Sequence, residues 1–288
     1  MTTLETLTGK PHVSYSGLTT WLDCGEKYRL QRIVGINEDP AYYLAGGTAV
    51  HTATEAYDNA ILTGSMHADA VATAVHVFTE SFQQQLDERP NGTWRAAGRK
   101  TAAWPNGEDR AWWLANGITQ VSAYCDWRRQ HAGRLDLWAT ESGVNAVELP
   151  VDPVFPGDIP LKGYIDRVFT SGDDLIVVDL KTGSREPASA LQLGFYAVAL
   201  EKQYGVRPKW GAYFMTRKGE LGQLIDLTHY TESMLAYQLR QFVKAVTSGI
   251  FVPHVSMLCS GCGVKDACYA VNPDLEPPDL DFDADLAE

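Results

Sequence analysis

The residues best placed to do chemistry are two aspartates and a lysine on a predicted β-hairpin: Gly163-Tyr-Ile-Asp166, then Asp179-Leu-Lys181. The turn between them centres on Gly172-Asp173, a favoured two-residue connection. Folding about that pair sets Asp166 opposite Asp179, and side chains along a strand repeat every second residue. Asp166, Asp179 and Lys181 are therefore expected on one side of the sheet. Like charges placed opposite each other destabilise a hairpin, and a cation between them turns that repulsion into chelation. Mg²⁺ and Mn²⁺ favour hard oxygen ligands, which the two carboxylates and the Leu180 carbonyl can supply. An ammonium beside such an ion orients or helps to deprotonate a water and stabilises charge on phosphoryl oxygens. The chemistry implied is phosphodiester cleavage. Downstream, Gln192 and Tyr196 sit one helical turn apart and share a face, in reach of the phosphate or the lysine.

Asp-x-Lys alone is common by chance, and its plain reading is a surface ion pair at a strand end. Context separates the two readings here. Gly-x-x-Asp precedes it, the turn falls at the right place, Val177-Val178 marks a buried strand, and Gln-x-x-x-Tyr follows on a helix.

The second constellation is cysteine. Cys259, Cys262 and Cys268 stand in Cys-x2-Cys-x5-Cys within a glycine-containing loop, and Cys24 and Cys125 lie far upstream. Three local thiolates need a fourth for either zinc or a four-iron cluster. Local spacing does not choose between Cys24 and Cys125. Disulfides are disfavoured by the odd count and by an expected cytoplasmic setting.

Positioning these groups requires several elements. Residues 14 to 34 read as one helix capped by Ser14 or Ser16, with Cys24 on it. A second helix is expected from about Gly46-Gly47, carrying His51 and Glu55 one turn apart. Residues 66–88 and 108–131 read as helices, and 89–107 as a long loop. Six tryptophans interleave with arginines and lysine between 94 and 138, which suits single-stranded DNA or, more simply, an aromatic helical core. Strands are expected over 144–181, then a helix over 187–204, strands at 210–216 and 223–226, and a helix over 232–248. That order indicates an α/β fold.

Taken together, these elements resemble the PD-(D/E)XK nuclease superfamily, and within it the RecB-type exonucleases with an iron–sulfur cluster, including the CRISPR-associated exonucleases. The resemblance rests on Ser14-Tyr-Ser-Gly-Leu18 with Cys24, Gly47-Thr-Ala-Val-His51, the Gly163–Asp166 and Asp179–Lys181 elements, Gln192-x-x-x-Tyr196, and the closing cysteines. It spans about residues 14 to 270, leaving out 66–140. It implies a restriction-endonuclease-like mixed β-sheet core flanked by helices, with a helical insertion and a C-terminal cysteine segment. It further implies that His51, Asp166 and Asp179 hold the metal and that Lys181 serves the water. Cys24 becomes the fourth ligand of a [4Fe–4S] cluster with Cys259, Cys262 and Cys268, zinc being the rival. Cys125 is then a small buried residue. Without the resemblance, His51 is ambiguous. Glu55 is a candidate hydrogen-bond partner that would fix its tautomer, and Glu148 a carboxylate of lower rank. His12, His229 and His254 read as ordinary.

The expected division is 1–65 N-terminal helices, 66–140 insertion, 141–250 nuclease core, 251–271 cysteine segment, and 272–288 a disordered acidic tail. Net charge is −12, which argues against a nucleic-acid partner until the tail is considered. Seven acids and no bases lie in 272–288, and the remainder carries only −5. No apolar run reaches 18 residues, so neither a membrane span nor membrane partner is expected. The expected function is a Mg²⁺- or Mn²⁺-dependent DNA exonuclease acting on single-stranded ends. An endonuclease, a DNA-trimming nuclease, or a non-catalytic iron–sulfur nucleic-acid-binding protein are the alternatives. No Gly-x4-Gly-Lys-Ser/Thr loop occurs, so unwinding would need a helicase, or a recombination or integration partner.

Overall fold

The structure, a computed structural model, describes residues 3–89 and 93–278. In chain order the elements are α1 (Leu4–Thr8), β1 (Val13–Ser14), α2 (Tyr15–Asp23), α3 (Gly25–Arg32), α4 (Tyr42–Leu62), α5 (His67–Asp87), α6 (Arg110–His131), β2 (Asp136–Leu137), β3 (Val147–Val151), β4 (Val154–Phe155), β5 (Ile159–Ser171), β6 (Asp174–Lys181), α7 (Leu191–Tyr204), β7 (Trp210–Met215), β8 (Glu220–Leu221), β9 (Ile225–Asp226) and α8 (Glu232–Thr247), with 3₁₀ turns at Met257–Gly261 and Lys265–Ala267. The chain divides into two compact units. The first comprises residues 1–38, 151–163 and 231–288, and the second 39–150 and 164–230. From residue 279 the expected acidic tail lies outside the described residues.

In the second unit, β5 and β6 form the expected hairpin. Ser171 pairs with Asp174 across Gly172-Asp173, and Gly172 takes the positive φ of 60° that such a tight turn requires. β6 runs parallel to β7, and β7 is antiparallel to β8 and β9, so the sheet is mixed. Alternation along β6 then sorts its residues. Ile176, Val178 and Leu180 enter a core shared with α4, α5 and α6, where Phe78, Phe82, Trp113, Tyr124 and Trp127 are buried. Asp179 and Lys181 take the other face, where α7 packs. The fold is the α/β mixed sheet flanked by helices that the sequence leads one to expect. The tryptophan-rich stretch supplies core: Trp113 and Trp127 are buried, and Trp112 meets Trp113 edge-on.

Helix boundaries differ from expectation in places: α7 begins at Leu191 rather than at 187, and two further differences have a packing cause. α4 begins at Tyr42, not at the glycines, because Gly46 lies against Trp113 so closely that a Cβ there would approach within 2.0 Å of its ring. Helix–helix contact outweighs the intrinsic cost of glycine inside a helix. In the first unit, residues 14–34 are two helices, not one. α2 ends at Cys24, whose backbone is extended (φ −165°, ψ 110°), and α3 starts at Gly25. The break follows from a close backbone approach: the Gly25 N–H donates to the Val252 carbonyl at 2.9 Å, and a Cβ on Gly25 would fall 2.7 Å from the Val252 nitrogen. Ser14 does cap α2, accepting from the Gly17 N–H at 3.1 Å. Tyr28 packs edge-on against Phe242 and stacks on Phe251, tying α3 to α8 and the segment after it.

Candidate active site

Three elements of the second unit converge at the open end of the hairpin. The β5–β6 ladder runs to Arg167 opposite Val178, which makes Asp166 and Asp179 the next facing positions. Both are buried, at 6% and 2% exposure. Asp166 accepts the Leu180 N–H through Oδ2 at 2.6 Å. Lys181 lies 2.6 Å from Asp179 Oδ2, donates to Gln192 Oε1 at 2.9 Å, and Gln192 in turn donates to the Tyr196 hydroxyl at 2.8 Å. The spacing of Gln192 and Tyr196 on α7 thus gives a continuous chain from Asp179 to Tyr196.

α4 brings His51 to the same place. Its Nδ1 is 3.6 Å from both Glu148 Oε1 and Asp166 Oδ2, and its Nε2 is 3.2 Å from the Leu180 carbonyl. Ligand atoms of His51, Glu148 and Asp166 all lie within 4.8 Å of one another. Asp179 stands outside that trio, against Lys181. The Leu180 carbonyl faces the histidine ring. Glu55 does not bond His51: the ring turns toward the strands, where Glu148 and Asp166 take Nδ1, and Glu55 lines the groove outside with Tyr43, Gly47 and Thr48. This open groove measures about 510 Å³.

Glu148 ranks low from sequence because it lies in no motif, yet it belongs to the convergent trio. It reaches it from an unusual backbone, with φ +46° on β3. Side-chain residues rarely hold that conformation, and structures that impose it do so at a cost of about 1–3 kcal/mol. Behind Glu148 is a residue the sequence reading does not single out. Arg167 is fully buried, and it donates to Glu148 Oε1 at 3.3 Å, the Asp166 carbonyl at 2.5 Å, Thr54 at 3.2 Å and Asp58 Oδ2 at 2.7 Å. Asp58 also accepts from Tyr124 and Arg128. The available signal was charge in apolar surroundings: an arginine between Asp166 and Val168 on a central strand, and Asp58 on the α4 face that carries Thr54.

The electrostatics are those of carboxylates crowded together. Burial pushes Asp179 up to about 7, the charge of Asp166 adds to the rise, and Lys181 opposes it. Asp166 is likewise raised by burial, with Glu148 adding and His51 opposing. Burial works to discharge His51, but Asp166 and Glu148 outweigh it and raise the imidazole to about 9. Burial also works to raise Glu148, but His51 and Arg167 hold it below its ordinary value. A small volume rich in hard oxygen and imidazole donors, strained by its own negative charge, fits a divalent cation.

The cysteines of the first unit form a second grouping. The Cys24 Sγ accepts from the His254 N–H at 3.4 Å, and Cys259 Sγ from the Ser256 N–H at 3.3 Å. His254 Nδ1 sits 3.0 Å from the Asp23 carbonyl. Cys262 and Cys268 each end a 3₁₀ turn. Cys268 is raised mainly by burial, with the charges of Glu26 and Cys24 adding. Cys125 is fully buried in the aromatic core of the second unit, and burial raises its thiol.

A family model described as the PD-(D/E)XK nuclease superfamily matches residues 12–269. The chain belongs to this superfamily, and membership implies a metal-dependent nuclease with DNA as substrate. It is 30% identical to the Gene 69 protein of Mycobacterium phage L5 over 296 residues, covering 92% of this chain and 98% of that protein. Its identity to the Gene 69 protein of Mycobacterium phage D29 is 31% over 285 residues, covering 90% and 96%. No described helix is long and apolar enough to cross a membrane.

Proposed function

We propose that the chain is a RecB-type deoxyribonuclease that degrades single-stranded DNA from its ends, using Mg²⁺ or Mn²⁺, with a [4Fe–4S] cluster as a structural staple. The observation that carries the catalytic reading is the convergence of His51, Glu148 and Asp166 beside the Asp179–Lys181 pair. When bound there, a divalent ion supplies charge stabilisation at the scissile phosphate. The residues do the rest. His51, Glu148, Asp166 and Asp179 form the donor set. Once an ion displaces the Nδ1 proton, the Leu180 carbonyl opposite His51 Nε2 would hold the ring's remaining proton on Nε2, leaving Nδ1 as the donor atom beside the carboxylates. Of the three ammonium donors on Lys181, Asp179 and Gln192 occupy two. The third is free to orient the attacking water and then to meet charge on the phosphoryl oxygens. Tyr196 fixes the Gln192 amide, so the lysine is held in one direction. The half-exposed Tyr43 at the groove offers a face on which an unpaired base can stack.

End-labelled linear and circular single-stranded DNA, each with Mn²⁺ or with EDTA, test this reading. Metal-dependent loss of the linear substrate alone is expected. Cleavage of circles would make the enzyme an endonuclease, and binding without products in either would remove catalysis. Duplex substrates would then require a helicase or recombination partner to supply a single strand.

For the cysteines, the shared backbone neighbourhood of Cys24 and Cys259 supports a common centre with Cys262 and Cys268. One zinc ion needs thiolates about 2.3 Å from a single point. Among the described residues, the cysteines do not converge as the His51 trio does. Four thiolates suit zinc and a four-iron cluster alike, and the resemblance to the iron–sulfur nucleases favours the four-iron cluster. The centre would join the break between α2 and α3 to the last segment, across more than 200 residues of chain. Cys262→Ser is expected to lower the melting temperature and the broad absorbance near ~400 nm together in anaerobically purified protein. A variant that kept both would remove the staple role.

A further inference from the structure

The first unit holds a cavity of about 200 Å³ whose lining includes Lys10, His12, Ser14, Gln31 and Arg32, and no carboxylate. Neither Lys10 nor Arg32 has an ion-pair partner among the described residues, whereas the nearby Lys27 is paired with Glu38. β1 runs parallel to the start of β5 with Ser14 opposite Lys162, which places beside the cavity a third cation without an ion-pair partner among the described residues. The His12 Nδ1 is buried there without a hydrogen-bond partner. Burial lowers the His12 pKa, and the charges of Lys162 and Lys10 lower it further, so the imidazole feels both ammonium groups. The start of α2 also lines the cavity, where Ser14 caps the helix and its first turn carries partial positive charge. In a chain of net charge −12, three solvent-exposed cations without an ion-pair partner among the described residues gather around one cavity.

We propose that this cavity receives a backbone phosphate of the DNA strand. A phosphodiester brings one negative charge and several acceptor oxygens, which match a guanidinium, two ammonium groups and the free imidazole nitrogen. The assignment takes its ligand from the nuclease reading but uses none of the residues assigned to cleavage. It gives the first unit a share in holding substrate.

The test is single-stranded oligonucleotide binding by the full chain in EDTA, followed by fluorescence anisotropy across a salt series. Lys10→Ala/Arg32→Ala removes two exposed side chains, and circular dichroism checks the fold. Binding is expected to weaken roughly tenfold at low salt, and the slope of log K against log salt to fall by about 0.7, one single-strand phosphate contact's worth. Lys10→Arg/Arg32→Lys is expected to keep the slope. By NMR, the His12 ring should titrate at higher pH once the oligonucleotide is bound, and this shift should vanish in the double alanine variant. An unchanged slope with a silent His12 overturns the proposal. So does a His12 response to inorganic phosphate without one to the oligonucleotide, which would assign a free-phosphate site. Asp179→Asn, assayed alongside, separates the two readings: loss of cleavage with a native salt slope upholds the nuclease site whatever the cavity does.

Discussion

Lys181→Ala is expected to lower single-turnover cleavage of linear DNA by about 10²–10³-fold or more, with substrate binding in EDTA little changed. The lysine is aimed by two separate partners, Asp179 and Gln192. Removing it leaves the donor trio in place, so metal binding, measured by calorimetry, should persist. Asp179→Ala is expected to abolish cleavage as well, because it removes a carboxylate from the donor set and the anchor of the lysine at once. Asp179→Asn refines the point. Its pKa of about 7 in the fold lies above the ordinary aspartate value, so the charged form is disfavoured by folding. In metal-free protein, Asp179 therefore costs stability as pH rises from about 4 toward 7, and costs none below that range. The asparagine variant should match the native melting temperature at low pH and exceed it at neutral pH, while cutting no DNA. Full activity in Lys181→Ala would take the lysine out of the mechanism, and a neutral-pH melting temperature below native in Asp179→Asn would contradict the electrostatic account.

What could be read from sequence here was what local geometry controls. A two-residue turn at Gly172-Asp173 fixes the register, and register fixes that Asp166 and Asp179 face the same way. The periodicity that put Gln192 and Tyr196 together on α7 is equally local. The features that escaped depend on contacts between distant segments. Nothing around Cys24 announces an extended residue between helices, because the cause is the Val252 backbone lying on Gly25. Glu148 could not be ranked by alternation, since its positive φ departs from the strand geometry on which alternation rests. Glu55 looked the better partner for His51 because it is one turn away on the same helix, yet sequence proximity does not tell which way a ring turns. The Ser-Tyr-Ser and cysteine elements were recognisable by resemblance, and their spacing alone left zinc and iron–sulfur open.

Arg167→Met is expected to destabilise the protein by about 3–5 kcal/mol, the largest loss from a single substitution outside the cysteine segment. The guanidinium is fully buried and shares Asp58 with Arg128 and Tyr124, so its removal strands charge in the interior. Deleting one member of such a network costs more than the network contributes net, because the partners stay behind desolvated. Asp58 keeps Arg128, but Glu148 and the Asp166 carbonyl lose their interior donor. Function should fall with stability in a recognisable order. Without Arg167, Glu148 is freer to leave the trio, so the apparent affinity for Mn²⁺ should drop by about 10–100-fold, as is usual when a residue orienting a metal ligand is removed. Arg167→Lys restores the charge but not the fork that reaches Asp58, Thr54 and Glu148 together, so it should recover stability only in part. Pairing Arg167→Met with Glu148→Gln is the informative cycle: removing the carboxylate charge that has lost its interior donor should return part of the lost stability and none of the lost metal affinity. Equal recovery of both would show that Arg167 acts on the site only through the fold.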